Sequence, residues 1–104
     1  IKEITFLEET EGSFSNYWLT TILLDKESAI DSEQLRLHLE KNNIESRPLW
    51  KPMHLQPVFK DCKSYVNGVS EDLFNRGLCL PSGTSMTHED LKRIVRKVKE
   101  LYEV

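Results

Sequence analysis

The chain has 104 residues, with 14 Lys and Arg against 17 Asp and Glu and a net charge of −3. A folded chain of its 12.2 kDa mass exposes roughly 6,000 Å², against roughly 18,000 Å² unfolded, which supports one core and excludes two domains. The acidic balance supplies no basic field to hold nucleic acid or an anionic membrane, and no apolar run approaches the length of a membrane span.

Ile1–Gly12 mixes Ile4, Phe6 and Leu7 with charged residues and reads as an exposed strand or an ordered tail. The opening IKEITFLEETEG lacks the basic and apolar regions of a signal peptide, and it begins with Ile1 rather than Met. A processed or excised fragment with a cytoplasmic location is therefore expected. Asn16–Leu24 (NYWLTTILL) is rich in aromatic and β-branched residues and predicts a strand with apolar groups on both faces. Asp31–Asn42 predicts a helix capped by Asp31 or Ser32, with Gln34 at capping-box spacing from Asp31. Ile44–Leu49 predicts a short strand that Pro48 confines to a sheet edge.

Residues 50–69 have no clean period and are broken by Pro52 and Pro57. So long an irregular stretch in so small a chain points to function. Ser70–Arg76 predicts a short helix capped by Ser70 and stopped by Gly77, and Gly77–Leu80 a buried strand. From a Thr87 cap, Leu91, Ile94, Val95, Val98, Leu101 and Tyr102 recur at helical spacing. The order predicts an α/β two-layer sandwich, a small sheet of about three main strands with helices on one face. The other sheet face then has little of its own to cover it. Apolar residues make up 38% of the chain, and this content, on the low side for a globular domain, agrees with a core unfinished on one side.

Cys62 and Cys79 lack the short spacing of a zinc site and read as two unpaired thiols, with a single disulfide as the alternative. The bases of the last helix read as a solvated face. His38 and His88 read as solvent-facing, with no second ligand at metal spacing. The cluster Arg47, Trp50, Lys51 and His54 stands apart. Arg offers a planar fork for carboxylate or phosphate, Trp a stacking face, and His a proton near neutral pH. The competing reading puts Trp50 in the core and leaves the charges to solvate a loop. No nucleophile motif or glycine-rich phosphate cradle is present, and nothing marks Lys51 as a Schiff-base lysine.

Three strings, SNYWLTTILLD (Ser15–Asp25), LRLHLEKNNIESRPLWKPMHLQPVF (Leu35–Phe59) and LFNRGLCLPSGTSMTHEDLKRIVRKVKEL (Leu73–Leu101), together resemble one family. They are similar to the C-terminal domain of DegT/DnrJ/EryC1/StrS-type sugar aminotransferases, fold-type-I enzymes that use pyridoxal phosphate. RPLWKPMHLQP (Arg47–Pro57) followed by GLCLPSG (Gly77–Gly83) is the most specific part. The resemblance implies that residues 1–104 form the small domain of a larger homodimeric enzyme. An N-terminal domain of the same chain would hold the cofactor on a lysine, and glutamate would donate the amino group to a keto-sugar nucleotide. No residue here aligns with that lysine, so the isolated chain is expected to be inactive and not to hold pyridoxal phosphate. The resemblance implies substrate-binding roles for three residues. Arg47 would contact a carboxylate or phosphate, Trp50 would wall the sugar-nucleotide pocket, and His54 would bond or pack beside it. The alternative from another class is a stand-alone interaction module with this fold and no catalysis.

Overall fold

A computed structural model describes residues 1–103. Four antiparallel strands, β1 (Ile4–Phe6), β2 (Thr20–Leu24), β3 (Arg47–Pro48) and β4 (Gly77–Leu80), form one sheet in the order β1-β2-β4-β3. The predicted α/β sandwich is what the chain forms, and the amino-terminal segment supplies a short edge strand.

Alternation along β2 and β4 sorts their side chains. Ile22 stands opposite Leu78, and both face a core completed by Leu24, Leu35, Leu39, Ile44, Ile94 and Val98. Two helices supply the cover on this face, α1 (Ser32–Lys41) and the last helix, α3 (His88–Leu101). Each begins with a capping box. The Asp31 side chain accepts from the Gln34 N–H at 2.7 Å, and Thr87 Oγ1 accepts from the Asp90 N–H at 3.2 Å. The opposite sheet face carries Thr21, Leu23 and Cys79, with Thr21 Oγ1 3.8 Å from the Cys79 sulfur. Both cysteines are free thiols, Cys62 exposed and Cys79 buried.

The predicted strand over Asn16–Leu24 begins only at Thr20. Ser15 Oγ and Asn16 Oδ1 accept the N–H groups of Tyr17 and Trp18, and Tyr17 takes a φ of 52°. These local turns outcompete a strand partner. Ile44–Leu49 pairs only at Arg47 and Pro48, because proline has no N–H to extend the ladder. The middle helix, α2, spans Val69–Arg76 and starts after Gly68 at φ 85°, not at a Ser70 cap. Asn67 supplies the turn there, its Oδ1 accepting from the Val69 N–H at 3.2 Å. His38 is likewise not solvent-facing. It is half-buried between helices, with Nε2 2.9 Å from the Lys97 carbonyl oxygen.

The molecule is less compact than its length predicts. Its radius of gyration is 15.4 Å, against about 13 Å for a compact 104-residue body. Its accessible surface is 8212 Å², well above the roughly 6,000 Å² expected for this mass. Large apolar side chains are among the exposed residues. Phe14, Tyr17, Trp18, Trp50, Val58 and Tyr65 are all exposed.

Candidate functional site

Between β3 and α2 the chain runs through two single turns, Met53–Leu55 and Pro57–Phe59. Each follows from a proline. Pro52, with φ −52°, leads into the first turn, and Pro57 opens the second, so the fixed proline torsion replaces helical periodicity as the local organiser. Three points fasten this segment to the frame. Pro52 is buried. Leu49 lies against Gly77, where a Cβ would overlap its side chain and come within 2.6 Å of the Leu73 carbonyl. His54 Nε2 lies 3.8 Å from Glu71 Oε2, in the first turn of α2.

The three sequence-predicted residues sit on this segment or at its root, but they do not share one cavity. Arg47 stands on the edge strand opposite Cys79 and is exposed. Its Nε and Nη2 both donate to Glu45 Oε1, at 2.8 and 2.6 Å. An exposed pair of this kind contributes little to stability. Trp50 is 69% exposed, which overturns the reading that placed it in the core. His54 is largely shielded and lines a second depression of about 320 Å³ with Met53, Phe59 and Tyr65.

Arg47 borders an open cleft of about 400 Å³ whose other walls were not visible as a site in the sequence. Leu19, Ser46, Ser82, Asp90 and Arg93 line it. Ser46 Oγ is buried without a hydrogen-bond partner, and Ser82 Oγ donates to the Trp18 carbonyl at 2.9 Å. The Thr87 backbone N–H, and then its hydroxyl, hold the Asp90 carboxyl below the usual carboxylate range. Arg93, one of the bases assigned to a solvated face, donates to the Asn42 carbonyl and so ties α3 to the end of α1. Neither Arg93 nor Ser82 carries a sequence signal for this position, since the pairing of β3 with β4 and the packing of α3 against the end of α1 bring together residues distant in sequence.

The residues present do not fit the task of holding pyridoxal phosphate. That needs a desolvated lysine and a buried partner for the ring nitrogen. Lys51 is exposed, and among the described residues no charged side chain is buried. Nor do the described residues contain a group of three His, Cys, Asp or Glu able to hold a metal ion, or a helix long and apolar enough to cross a membrane. The arrangement can present a guanidinium fork and a flat indole at the rim of an open surface.

The architecture is that of the aminotransferase structures it resembles. The crystal structure of the aminotransferase TlmJ from Streptoalloteichus hindustanus superposes with a TM-score of 0.83 over 99% of this chain and 27% of that one, at 15% identity. The model of the DegT/DnrJ/EryC1/StrS aminotransferase family matches residues 1–99, and the chain belongs to that family. It is 40% identical over 103 residues to EpsN of Bacillus subtilis, a protein whose name assigns it provisionally to the pyridoxal phosphate-dependent aminotransferases. It is 33% identical over 96 residues to the GDP-perosamine synthase of Vibrio cholerae. These alignments cover 95% and 91% of this chain but 26% of each relative, so the chain spans about a quarter of their length.

Proposed function

We propose that this chain is the C-terminal, substrate-capping part of a cytoplasmic, homodimeric aminotransferase that transfers an amino group from glutamate to a keto-sugar nucleotide. The observation that carries this reading is the Leu49–Gly68 segment. It is fastened at Leu49, Pro52 and His54, yet it turns Trp50, Met53 and Tyr65 outward. A self-sufficient fold does not stabilise itself by fixing large apolar side chains in water, whereas a lid does present them to the body it closes on. Family membership supplies the chemistry of the whole, and the sugar substrate is the reading its relatives' names favour.

Pyridoxal phosphate, held by an N-terminal domain of the same polypeptide, would supply the electron sink for the transfer. The residues of this chain bind and orient. Arg47 exchanges its Glu45 partner for a donor carboxylate or a nucleotide phosphate. Trp50 closes over the sugar and excludes water. His54, largely shielded and beside Glu71, packs within the turn that carries Met53. The isolated 104-residue chain is inactive in this reading.

The test is steady-state kinetics of the full-length polypeptide with pyridoxal phosphate, glutamate and a panel of keto-sugar nucleotides. Arg47→Ala removes a charge-assisted contact and lowers kcat/KM about 10- to 100-fold. His54→Ala lowers it less. Unchanged kinetics in both variants remove the site assignment. No turnover of any keto-sugar nucleotide, with the cofactor bound, removes the activity.

A further inference from the structure

Residues 50–66 hydrogen-bond only among themselves. The Leu55 N–H donates to the Pro52 carbonyl at 3.0 Å, Gln56 to Met53 at 3.1 Å, Phe59 to Gln56 at 2.9 Å and Cys62 to Phe59 at 3.0 Å. Among the described residues, no hydrogen bond joins this stretch to the rest of the chain. The α2 helix that follows is held in the opposite way. Arg76 Nη1 donates to the Leu24 carbonyl at 2.6 Å, Ser32 Oγ donates to the Asn75 carbonyl at 2.9 Å, and Lys26 Nζ lies 3.4 Å from Asp72. Glu71 therefore belongs to the frame and His54 to the segment. Their contact, Nε2 to Oε2 at 3.8 Å, is the one pairing of ionisable groups that crosses between the two among the described residues.

We infer that this contact is a pH-dependent latch, closed while His54 is an imidazolium and released when it is neutral, and that the closed latch keeps the segment preorganised to shut over substrate. The inference rests on the proposal that the segment is the lid of an aminotransferase. Distance supplies the argument. At 3.8 Å a neutral imidazole is beyond hydrogen-bond reach of the carboxylate, so the contact holds through charge. An imidazole ordinarily changes charge between about pH 5 and 8, a range in which carboxylates are ordinarily ionised. His54 is largely shielded and Glu71 half-exposed, so solvent screens the pair less than a fully exposed one. Three other ionisable side chains share the depression with His54, namely Cys62, Lys63 and Tyr65. Thiols and phenols ordinarily titrate above this range. Lys63 opposes the imidazolium, but its Nζ is drawn over the Tyr65 ring, 5.3 Å from the centroid. Glu71 is the group that favours the charge. The restraint is complete at low pH and is lost as pH rises through the imidazole range. A released segment must be ordered again when substrate binds, so affinity falls as pH rises.

The experiment is hydrogen exchange of the full-length polypeptide with pyridoxal phosphate and no substrate, at about pH 5.5 and about pH 7.5, each rate divided by the intrinsic rate at that pH. Mass spectrometry reads the peptides that contain the bonded amides of Leu55, Gln56, Phe59 and Cys62. Their protection is expected to be about 2- to 5-fold greater at the lower pH, and Glu71→Gln is expected to bring that ratio to about one. The variant also removes an acid from the first turn of α2, a loss equal at both pH values, so the ratio and not the level is the readout. A parent ratio below about twofold overturns the inference. So does a Glu71→Gln protein that keeps the parent's ratio, which would give the pH dependence to another group. An equal change in peptides of α3 would make it a loss of global stability and overturns the latch as well. KM for the keto-sugar nucleotide should rise with pH in the parent more than in Glu71→Gln, and coincident profiles overturn the effect on substrate. Exchange needs no turnover. An inactive preparation with the expected ratio loses only the aminotransferase reading, and an active one without it loses only the latch.

Discussion

The helix-covered face of the sheet and the Leu49–Gly68 segment are held in different ways. On the covered face, eight apolar side chains from β2, β4, α1, α3 and the Ile44 turn bury one another, and four of them have no measurable exposure or nearly none. Their positions repeat at the periods of strand and helix, so every residue in the pattern supports the same geometry. The loop segment has no such redundancy. It rests on a buried proline, one leucine against a glycine, and one histidine–glutamate contact, while Val58 and Tyr65 stand in solvent. Because its side chains are buried against one another, the frame still loses stability when any one of them is cut back. A segment held at three points leaves most of its side chains free for a partner.

That contrast is sharpest where the frame is densest. Leu39 has no accessible surface, and Leu39→Ala is expected to cost about 2–5 kcal/mol in urea unfolding of the protein. A smaller loss would show that the core collapses around the gap more readily than its packing implies. Next comes the joint between the two regions. Gly77→Ala puts a methyl group into Leu49 and is expected to cost about 1–3 kcal/mol. Leu49→Ala in the same chain should recover part of that loss, giving a coupling that a double-mutant cycle reads directly. Simple additivity of the two would mean that the loop root does not rest on Gly77.

How much of this was legible in the sequence follows the same division. The last helix, its Thr87 cap and its buried Ile94 and Val98 were readable because their spacing is helical and the capping box is local. The α1 helix and the β4 strand were readable for similar reasons. The overlong strand at Asn16–Leu24 shows the limit. Composition there favours β, but Ser15 and Asn16 offer side-chain acceptors that divert the backbone, and Tyr17 leaves the extended region. Arg47, Trp50 and His54 were legible as a cluster because they are close in sequence. Their separation into different surroundings was not, since Arg47 depends on the pairing of β3 with β4, and His54 on the placing of α2. The walls contributed by Ser82 and Arg93 come from distant parts of the chain, and no local pattern marks them.

The α3 cap gives a smaller effect and a pH signature. Thr87→Ala is expected to cost about 1 kcal/mol, measured by thermal unfolding. The Asp90 carboxyl accepts from the Thr87 N–H at 2.8 Å and is held below its ordinary value by that bond and by the Thr87 hydroxyl. Its folded value therefore lies below its unfolded one. The stabilisation it gives is complete above the unfolded value and is lost as pH falls through the folded value. Asp90→Asn should flatten the acid limb of the stability profile, and an acid limb identical to that of the parent would assign the acid sensitivity to other carboxylates.

The smallest expected change in stability falls on the largest exposed side chain of the loop. Trp50 is 69% exposed, so Trp50→Ser removes little buried area and should leave stability within about 0.5 kcal/mol of the parent. The same change in the full-length polypeptide should raise KM for the sugar nucleotide, because an indole that is free here is the surface proposed to close over the sugar. The two measurements together separate the possibilities. Loss of stability in the 104-residue chain would make Trp50 part of the frame, and the division between frame and lid would fail at its clearest point. Unchanged stability with unchanged kinetics would leave the division standing and move the sugar contact elsewhere. Unchanged stability with a raised KM is the result that a side chain held out for a partner requires.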